Sequence, residues 1–245
     1  MAAGKPAAIF FSGDTSEFAG LAADSAAGRI TPSSSHRPAA MSSKPDNSSA
    51  PEEHDWHSEA YVDEWIARDL TRDEERRTIL KRMLSHAPFA ADAEPRVLDV
   101  GAGYGMVTEE VLEAFPRAWI TFQDYSEEML VRARRQLARH AERLTYVLCD
   151  LAEPSWTSKV GGPFDLVVSA IAIHNLRETA KIADCYRAIH DLLKPGGYFL
   201  DCDHFHRIGG IEANLEALRS AGFERAESPW RKEERTAILV AEKKR

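Results

Sequence analysis

The chain has 245 residues, of which 44% are hydrophobic and 29% are charged, and its formal net charge is −8. This composition is typical of one large globular domain, or of one domain with an extension. The acidic balance argues against a broad nucleic-acid-binding surface, and no apolar run approaches the roughly 20 residues of a membrane span. The three cysteines show no CxxC spacing, which favours reduced, buried thiols. We therefore expect a cytoplasmic protein, either a monomer or a homodimer.

The first 52 residues differ in composition from the rest of the chain. Between Thr31 and Pro51, serine, proline and alanine dominate, and large apolar side chains are few. Such a segment cannot bury enough surface to offset the entropy lost on ordering. We therefore predict a disordered tail over 1–52, a helical cap over 53–93 and the main domain over 94–245.

The predicted cap contains two helices. Val62, Trp65 and Ile66 recur at three- and four-residue spacing, which indicates the apolar face of the first helix. Thr71 begins the pattern Thr-Arg-Asp-Glu, the signature of a capping box, so we expect this box to begin the second helix. Pro88 follows the second helix and ends it.

After the cap, strand patterns alternate with helix patterns, and Ser126 before two acids predicts the N-terminal cap of one of these helices. Five predicted strands are apolar over nearly their whole length, as in parallel sheets that are buried on both faces. They are Arg96–Val100, Trp119–Gln123, Thr145–Leu148, Phe164–Ser169 and Gly197–Asp201. Two further strands are predicted near the end of the chain, Phe223–Glu227 and Ala237–Ala241. The last two strands are separated by a short link, which predicts an antiparallel hairpin at the sheet edge. The fold class is therefore α/β, with a doubly wound, mainly parallel, seven-stranded Rossmann-like sheet.

The first predicted strand ends in a turn that contains three glycines at alternate positions, Gly101, Gly103 and Gly105. A helix pattern begins immediately afterwards. Glycines in such a turn let a ligand approach the backbone, and we expect free N–H groups and the helix N-terminus to face that ligand. The turn therefore predicts a binding site for a nucleotide-like molecule.

The residues around the turn narrow the choice of ligand. A dinucleotide fingerprint requires its third glycine where this chain has Met106, and the Gly-Lys-Ser/Thr of a phosphate-binding loop is absent. Two acids flank the turn instead: Asp99 precedes it, and Asp124 ends the next strand, where an acid typically accepts ribose hydroxyls. S-adenosylmethionine combines a ribose with a cationic amino group and lacks a pyrophosphate, so it suits this arrangement.

At this point the sequence resembles the class I S-adenosylmethionine-dependent methyltransferases over about Glu94 to Glu242. Five segments carry the resemblance, in the order and at the spacing of that family. They are Val97-Leu98-Asp99-Val100-Gly101-Ala102-Gly103-Tyr104-Gly105, Asp124-Tyr125-Ser126-Glu127-Glu128-Met129-Leu130, Cys149-Asp150-Leu151, Phe164-Asp165-Leu166-Val167-Val168-Ser169 and Leu193-Lys194-Pro195-Gly196-Gly197. The resemblance implies S-adenosylmethionine as the cofactor, with S-adenosylhomocysteine as the product.

The resemblance also implies a role for each matched residue. Asp99 and the turn containing Gly101, Ala102 and Gly103 would border the methionine part of the cofactor, and Ser169 would lie near its amino group. Asp124 would hold the ribose hydroxyls. The adenine would lie against Tyr125, Met129, Asp150 and Leu151. A methionine on a helix face is as often part of the core, so that alternative stays open for Met129.

The acceptor is less well defined by the sequence. Methyl transfer needs a general base only if the acceptor must lose a proton, and the candidates are His174 and Asp203, which follow the fourth and fifth strands. The alternative is that His174 packs within its loop. His204 and His206 complete an acid–histidine pattern that is more typical of a polar rim than of a metal site, so we expect no metal.

We expect the acceptor to be a small molecule. The motifs of amino-methylating nucleic-acid enzymes and of protein arginine methyltransferases are absent, although methylation of a transfer-RNA base stays as an alternative, as does a non-catalytic protein that binds S-adenosylmethionine. The loops of the main domain that could cover a substrate are short. We therefore predict that Trp56, Tyr61 and Trp65 in the cap form a lid, the alternative being simple packing against the sheet edge.

Overall fold

The computed structural model describes residues 54–245, so the tail predicted over 1–52 lies outside the described residues. Two helices come first, α1 (Glu59–Leu70) and α2 (Asp73–Leu84). The strands are β1 (Arg96–Val100), β2 (Trp119–Asp124), β3 (Leu144–Leu148), β4 (Phe164–Ala170), β5 (Leu193–Asp203), β6 (Arg225–Lys232) and β7 (Thr236–Glu242). The remaining helices are α3 (Met106–Ala114), α4 (Glu127–Gln136), α5 (Trp156–Val160), α6 (Thr179–Leu192) and α7 (Ile211–Ser220).

The seven strands form one sheet in the order β3-β2-β1-β4-β5-β7-β6. All neighbouring pairs from β3 to β5 are parallel, and β7 is antiparallel to both β5 and β6. The expected edge hairpin is therefore confirmed, together with the mainly parallel, Rossmann-like sheet. The chain first builds outward from β1 to β3 and then crosses to β4 on the other side of β1, so the strand order reverses between β1 and β4.

The sheet is buried on both faces because alternate side chains of its central strands enter different cores. In β1, Leu98 and Val100 belong to a core that contains residues of α6 and α7, whereas Val97 belongs to a core that contains residues of α2 and α3. All three side chains are fully buried. Helices therefore cover both faces, which is the reason that the strand sequences lack a polar alternation.

Strand β5 is longer than the sequence predicted. It begins at Leu193 rather than Gly197, and its pairing with β4 shifts register between Phe164 and Leu166. The Pro-Gly-Gly segment that ends α6 therefore lies within the first part of this irregular strand. Among residues 54–245, no helix combines the length and hydrophobicity needed to cross a bilayer. The three cysteines are buried and free of disulfides.

The predicted helix starts have different outcomes. Ser126 caps α4, since its side chain accepts a hydrogen bond from the N–H of Met129 at 3.1 Å. The capping box at Thr71 is wrong: α2 begins after Arg72 without a side-chain cap. The hydroxyl of Thr71 instead donates to the carbonyl of Arg68 at 2.7 Å. Only two residues separate α1 from α2, so the Thr71 hydroxyl is close enough to α1 to satisfy one of the carbonyl groups at its C-terminus instead.

Candidate functional site

A cavity of about 430 Å³ opens at the carboxyl edge of the sheet. The glycine turn after β1 forms part of its wall, and the segments after β2, β3 and β4 form the rest of the sheet side. The segment before α1 and both helices of the cap also contribute side chains. This is the edge at which ligands bind in open α/β sheets, beside the point where the strand order reverses.

The glycines of the turn meet different surroundings. Gly101 has φ +62°, and a Cβ there would lie 2.4 Å from the Cβ of Ala172, so close approach of the loop after β4 requires glycine. Gly103 has φ +59°, and a Cβ there would meet nothing within 4 Å. Because Gly103 lines the cavity, the missing side chain leaves space that a ligand can occupy.

The N–H groups of the turn donate to the protein. Those of Gly101 and Ala102 donate to the side-chain and main-chain oxygens of Gln123, at 3.0 and 2.9 Å. That of Gly103 donates to Oδ2 of Asp124 at 2.8 Å. The expectation that free N–H groups of this turn face the ligand is therefore wrong for these three residues. The turn instead presents a surface without side chains, held in shape by the end of β2.

Asp124 lies in the cavity wall and joins three parts of the site. Its Oδ2 accepts from Gly103, and its Oδ1 accepts from the N–H of Ser126 at 2.8 Å, where α4 begins. The side chain is 8% exposed. Burial raises the pKa of Asp124, and these backbone hydrogen bonds oppose that increase. The carboxylate is therefore fixed in orientation while one part of it faces the cavity.

The residues predicted to contact the adenine come together at the same cavity. Tyr125, Met129, Asp150 and Leu151 all line it, although they come from the starts of three different segments. Asp150 accepts the N–H of Ala152 at 2.8 Å, which fixes its carboxylate beside the end of β3. Eight of the ten residues predicted to contact the cofactor thus share one wall, counting these four with Asp124 and the three residues of the turn.

Asp99 and Ser169 lie beneath the wall rather than in it. Asp99 is fully buried and accepts the hydroxyl of Thr108 in α3 at 2.6 Å. Its Oδ1 has no hydrogen-bond partner among the described residues, and burial raises the pKa of Asp99 to about 7. The hydroxyl of Ser169 donates to the carbonyl of Val100 at 3.0 Å. Their contacts with a cofactor stay a prediction.

The candidate base and its partner acid form a buried pair. Nδ1 of His174 lies 2.6 Å from Oδ1 of Asp203, and the N–H of His174 donates to Oδ2 at 3.0 Å. Burial alone would raise the pKa of Asp203, but the hydrogen bonds from His174 hold it below its ordinary value. His174 is not in the cavity wall, whereas its neighbour Asn175 is. The pair anchors the loop after β4 to the end of β5, and a role as base stays a prediction.

The two other histidines of this region have partners of their own. His204 lies with Nδ1 2.9 Å from the hydroxyl of Thr236, and His206 lies with Nδ1 3.1 Å from the carbonyl of Arg235. Burial lowers the pKa of His204 to about 4. Among residues 54–245, no group of three or more histidine, cysteine or acidic side chains is arranged to hold a metal ion.

The aromatic residues of the cap reach the cavity in part. Trp56 and Trp65 line it, and their rings meet edge to face at 5.4 Å between centroids. Tyr61 is not in the wall and packs against the ring of Trp56 at 5.3 Å. The hydroxyl of Ser126 donates to the carbonyl of Trp56, which ties this segment to the start of α4. Whether these residues act as a lid stays a prediction.

Several residues of the wall were not predicted from the sequence, among them Gln123, Asn175 and Arg76. Gln123 immediately precedes Asp124 at the end of a predicted strand, so its position could have been recognised. Arg76 lies in the middle of a charged helix and carries no sequence signal. It donates to the buried carboxylate of Asp69, which also accepts the hydroxyl of Tyr104 at 2.9 Å. The packing of the cap on the glycine turn brings the side chains of Arg76, Asp69 and Tyr104 together.

The sequence that forms this cavity is similar to sequences of known proteins. Residues 98–199 match a family model described as a methyltransferase domain. The highly reducing polyketide synthase verA of Penicillium polonicum is 30% identical over 145 residues, which are 57% of this chain and 6% of the synthase. The malonyl-[acyl-carrier protein] O-methyltransferase of Neorickettsia risticii is 44% identical over 79 residues, which are 32% of this chain and 28% of that enzyme. The chain thus spans a small part of each relative.

Solved structures agree with the fold. The structure of human N-acetylserotonin methyltransferase in complex with SAM has a TM-score of 0.53 and 19% sequence identity to this chain. The match covers 78% of this chain and 58% of the human one. At this identity the likeness establishes a shared fold, and the chemistry must be argued from the residues of the cavity.

Proposed function

We propose that the chain is a class I S-adenosylmethionine-dependent methyltransferase and that it transfers the methyl group of S-adenosylmethionine to a small-molecule acceptor; the methyltransferase-domain match over residues 98–199 supports this proposal. One observation carries the proposal: the Asp124 carboxylate and the open surface of Gly103 lie together in the wall of one cavity. A carboxylate after β2 is suited to accept ribose hydroxyls, and the missing side chain provides room for the chain that extends from the ribose.

The residues of the wall fit the cofactor. Asp124 would hold the ribose, and the adenine would lie between Tyr125, Met129 and Leu151, with Asp150 to accept its amino group. The Asp124 carboxylate is a hydrogen-bond acceptor of fixed orientation for the ribose hydroxyls. The side chains beside the adenine supply apolar surface with few polar groups, as is usual for small-molecule sites. A cavity of about 430 Å³ also falls in the usual range for such sites, roughly 300–1,000 Å³.

When bound, the cofactor supplies a methyl group that is already activated by the sulfonium. The chain must then orient the acceptor and exclude water, and Trp56 and Trp65 are suited to excluding water because their large apolar side chains line the cavity. A base is needed only for an acceptor that must lose a proton. His174, paired with Asp203 beside the wall residue Asn175, is the candidate for that role.

The acceptor we propose is small because the cap and the loops after β3 and β4 surround the same cavity. The formal net charge of −8 also disfavours a polyanionic acceptor such as RNA. The two relatives are a polyketide synthase and a malonyl-[acyl-carrier protein] O-methyltransferase, so similarity does not select one acceptor.

The proposal is tested first by calorimetric titration of the full chain with S-adenosylhomocysteine. We expect binding by the wild type and at least tenfold weaker binding by Asp124→Asn, because the variant loses the charge that accepts ribose hydroxyls. Asp191→Asn is the matched control, since Asp191 is exposed and does not line the cavity. Failure of the wild type to bind would contradict the proposed function.

A second experiment addresses transfer. Labelled S-adenosylmethionine is incubated with the protein and a metabolite extract, and in parallel with an RNA extract. We expect label in a small molecule of the metabolite fraction. Label in RNA would support the transfer-RNA alternative, and binding without transfer to either fraction would support a non-catalytic binding protein.

A further inference from the structure

Arg76 brings a positive charge to the end of the cavity that lies opposite the two carboxylates. Helix α2, which carries Arg76, packs against α3 and β5. Asp124 ends β2 instead, and Asp150 follows β3. In the sheet, three strand spacings of about 4.8 Å separate β2 from β5. A ligand whose ribose lies at the acidic end therefore extends toward a guanidinium.

Two neighbouring side chains fix the orientation of Arg76. Its guanidinium donates to Oδ1 of Asp69, and the hydroxyl of Tyr104 donates to Oδ2 of the same carboxylate at 2.9 Å. The Asp69 side chain is 2% exposed, and that of Arg76 is 17% exposed. Burial raises the pKa of Tyr104, so its hydroxyl keeps the proton that it donates. The three groups form a connected unit between α1, α2 and the glycine turn.

The helix that carries Arg76 is itself held rigidly. The adjacent Arg77 donates to Glu110 at 2.7 Å and to Glu109 at 2.9 Å, both in α3, and to Asp73 within α2. Glu110 is 1% exposed, so this contact is buried on the side of α3. An arginine presented from such a fixed helix loses little side-chain entropy when it binds a ligand.

Most hydrogen-bonding groups of Arg76 are unused. A guanidinium has five N–H donors. Within the described part of the chain, only Nη1 is hydrogen bonded, to Asp69. The unused donor atoms of Arg76 are not fully buried, and Arg76 lines the cavity. Because the planar guanidinium matches the two oxygens of a carboxylate, these donors are available to an anionic partner in the cavity.

We propose that Arg76 binds a carboxylate group in the cavity and that Asp69 is its positioning residue. The inference rests on the proposed function. The carboxylate belongs either to the amino-acid part of the cofactor or to the acceptor, and both sources present the same chemistry to the guanidinium.

The test compares three ligands by calorimetric titration of the full chain. S-adenosylhomocysteine carries the carboxylate, and decarboxylated S-adenosylmethionine lacks it. Malonate, titrated into protein saturated with S-adenosylhomocysteine, probes a separate carboxylate site. The variant is Arg76→Gln. Arg72→Gln removes an exposed charge from the start of the same helix, and Lys181→Gln removes another cation from the cavity wall.

If the cofactor is the source, Arg76→Gln weakens S-adenosylhomocysteine binding about tenfold to a hundredfold and changes binding of the decarboxylated ligand less than twofold. If the acceptor is the source, the variant binds both nucleosides normally and loses the malonate binding that the wild type shows. Equal effects on all ligands, no effect on any, or the same selective loss in Lys181→Gln would overturn the proposal.

Removing Arg76 alone leaves the carboxylate of Asp69 buried without its cation, which destabilises the protein. The double variant Asp69→Asn/Arg76→Gln avoids that cost, and Asp69→Asn alone is its reference with the guanidinium retained. Relative to Asp69→Asn, the double variant must lose binding of the same carboxylate-bearing ligand that Arg76→Gln loses relative to the wild type. A wild type that binds the nucleosides, together with an Arg76→Gln variant that selectively loses neither S-adenosylhomocysteine nor malonate, would contradict only the role of Arg76. A wild type that binds neither nucleoside would contradict the proposed function as well.

Discussion

Gly101 and Gly103 lie two residues apart in one turn, yet they lack side chains for different reasons. At Gly101 the loop after β4 comes so close that a Cβ would overlap that of Ala172, whereas at Gly103 a Cβ would enter open space in the cavity wall. Both backbones have positive φ, so alanine costs strain at either position. Only at Gly103 does the cost fall mainly on ligand binding.

We therefore expect Gly103→Ala to weaken S-adenosylhomocysteine binding at least tenfold while lowering the free energy of unfolding by about 1 kcal/mol. Gly101→Ala adds a steric overlap to the same strain, so it should cost about 2–4 kcal/mol of stability. Urea unfolding without ligand and calorimetric titration measure the two effects. Equal losses of stability in both variants would contradict this division of roles.

Ser126 shows how a single helix start connects elements that are distant in sequence. Its hydroxyl oxygen accepts the N–H of Met129 as the cap of α4, and its proton is donated to the carbonyl of Trp56. The cap was predicted from the sequence, because serine before two acids is a typical helix start. The contact with Trp56 was not, because it joins residues 70 positions apart.

Removal of this hydroxyl should therefore affect both stability and binding. We expect Ser126→Ala to lose about 1 kcal/mol of stability through the missing cap. It should also weaken S-adenosylhomocysteine binding several-fold, since Trp56 is released from the wall. Thermal unfolding and titration calorimetry are the measurements, and Ser126→Thr, which keeps a hydroxyl, is the control. If Ser126→Ala binds the ligand as tightly as the wild type, the segment before α1 does not help to form the site.

The structure of the whole protein includes buried acids whose protonation changes its stability with pH. Burial raises the pKa of Asp99 from an ordinary value of 3.8 to about 7, and that of fully buried Asp201 well above its ordinary range. Both oxygens of Asp201 lack hydrogen-bond partners among the described residues. The folded protein therefore keeps protons that the unfolded chain releases above about pH 4, so stability falls as the pH rises from there toward 7.

For Asp99 the pH dependence can be tested directly. Between pH 5 and pH 7, folded Asp99 retains a proton that the unfolded chain has released, and this lowers the free energy of unfolding by about 2 kcal/mol. The slope is about 1.4 kcal/mol for each pH unit below the folded-state pKa. Urea unfolding of the ligand-free protein should show that Asp99→Asn loses about that much less stability than the wild type over this interval. The exposed-site variant Asp191→Asn should follow the wild type. Parallel pH profiles for wild type and Asp99→Asn would show that Asp99 is ionised throughout.

The order of strands and helices, and eight of the residues that line the cavity, follow from the sequence because they depend on local patterns. Apolar strands buried on both faces, the glycine turn and the acid at the end of β2 are each encoded in a few adjacent residues, and parallel strands bring their carboxyl ends to one edge. The capping box predicted at Thr71 is wrong because the partner of this hydroxyl depends on where α1 ends: it donates to a carbonyl of α1 and does not cap α2.

Tertiary structure alone decided how the turn and the cap meet. The N–H groups of the turn are used by Gln123 and Asp124, Asp99 lies beneath the cavity instead of in its wall, and His174 is paired with Asp203 away from it. Arg76 reaches the cavity because α2 packs beside the turn. Such contacts join residues far apart in sequence, and their geometry depends on packing that leaves no local pattern.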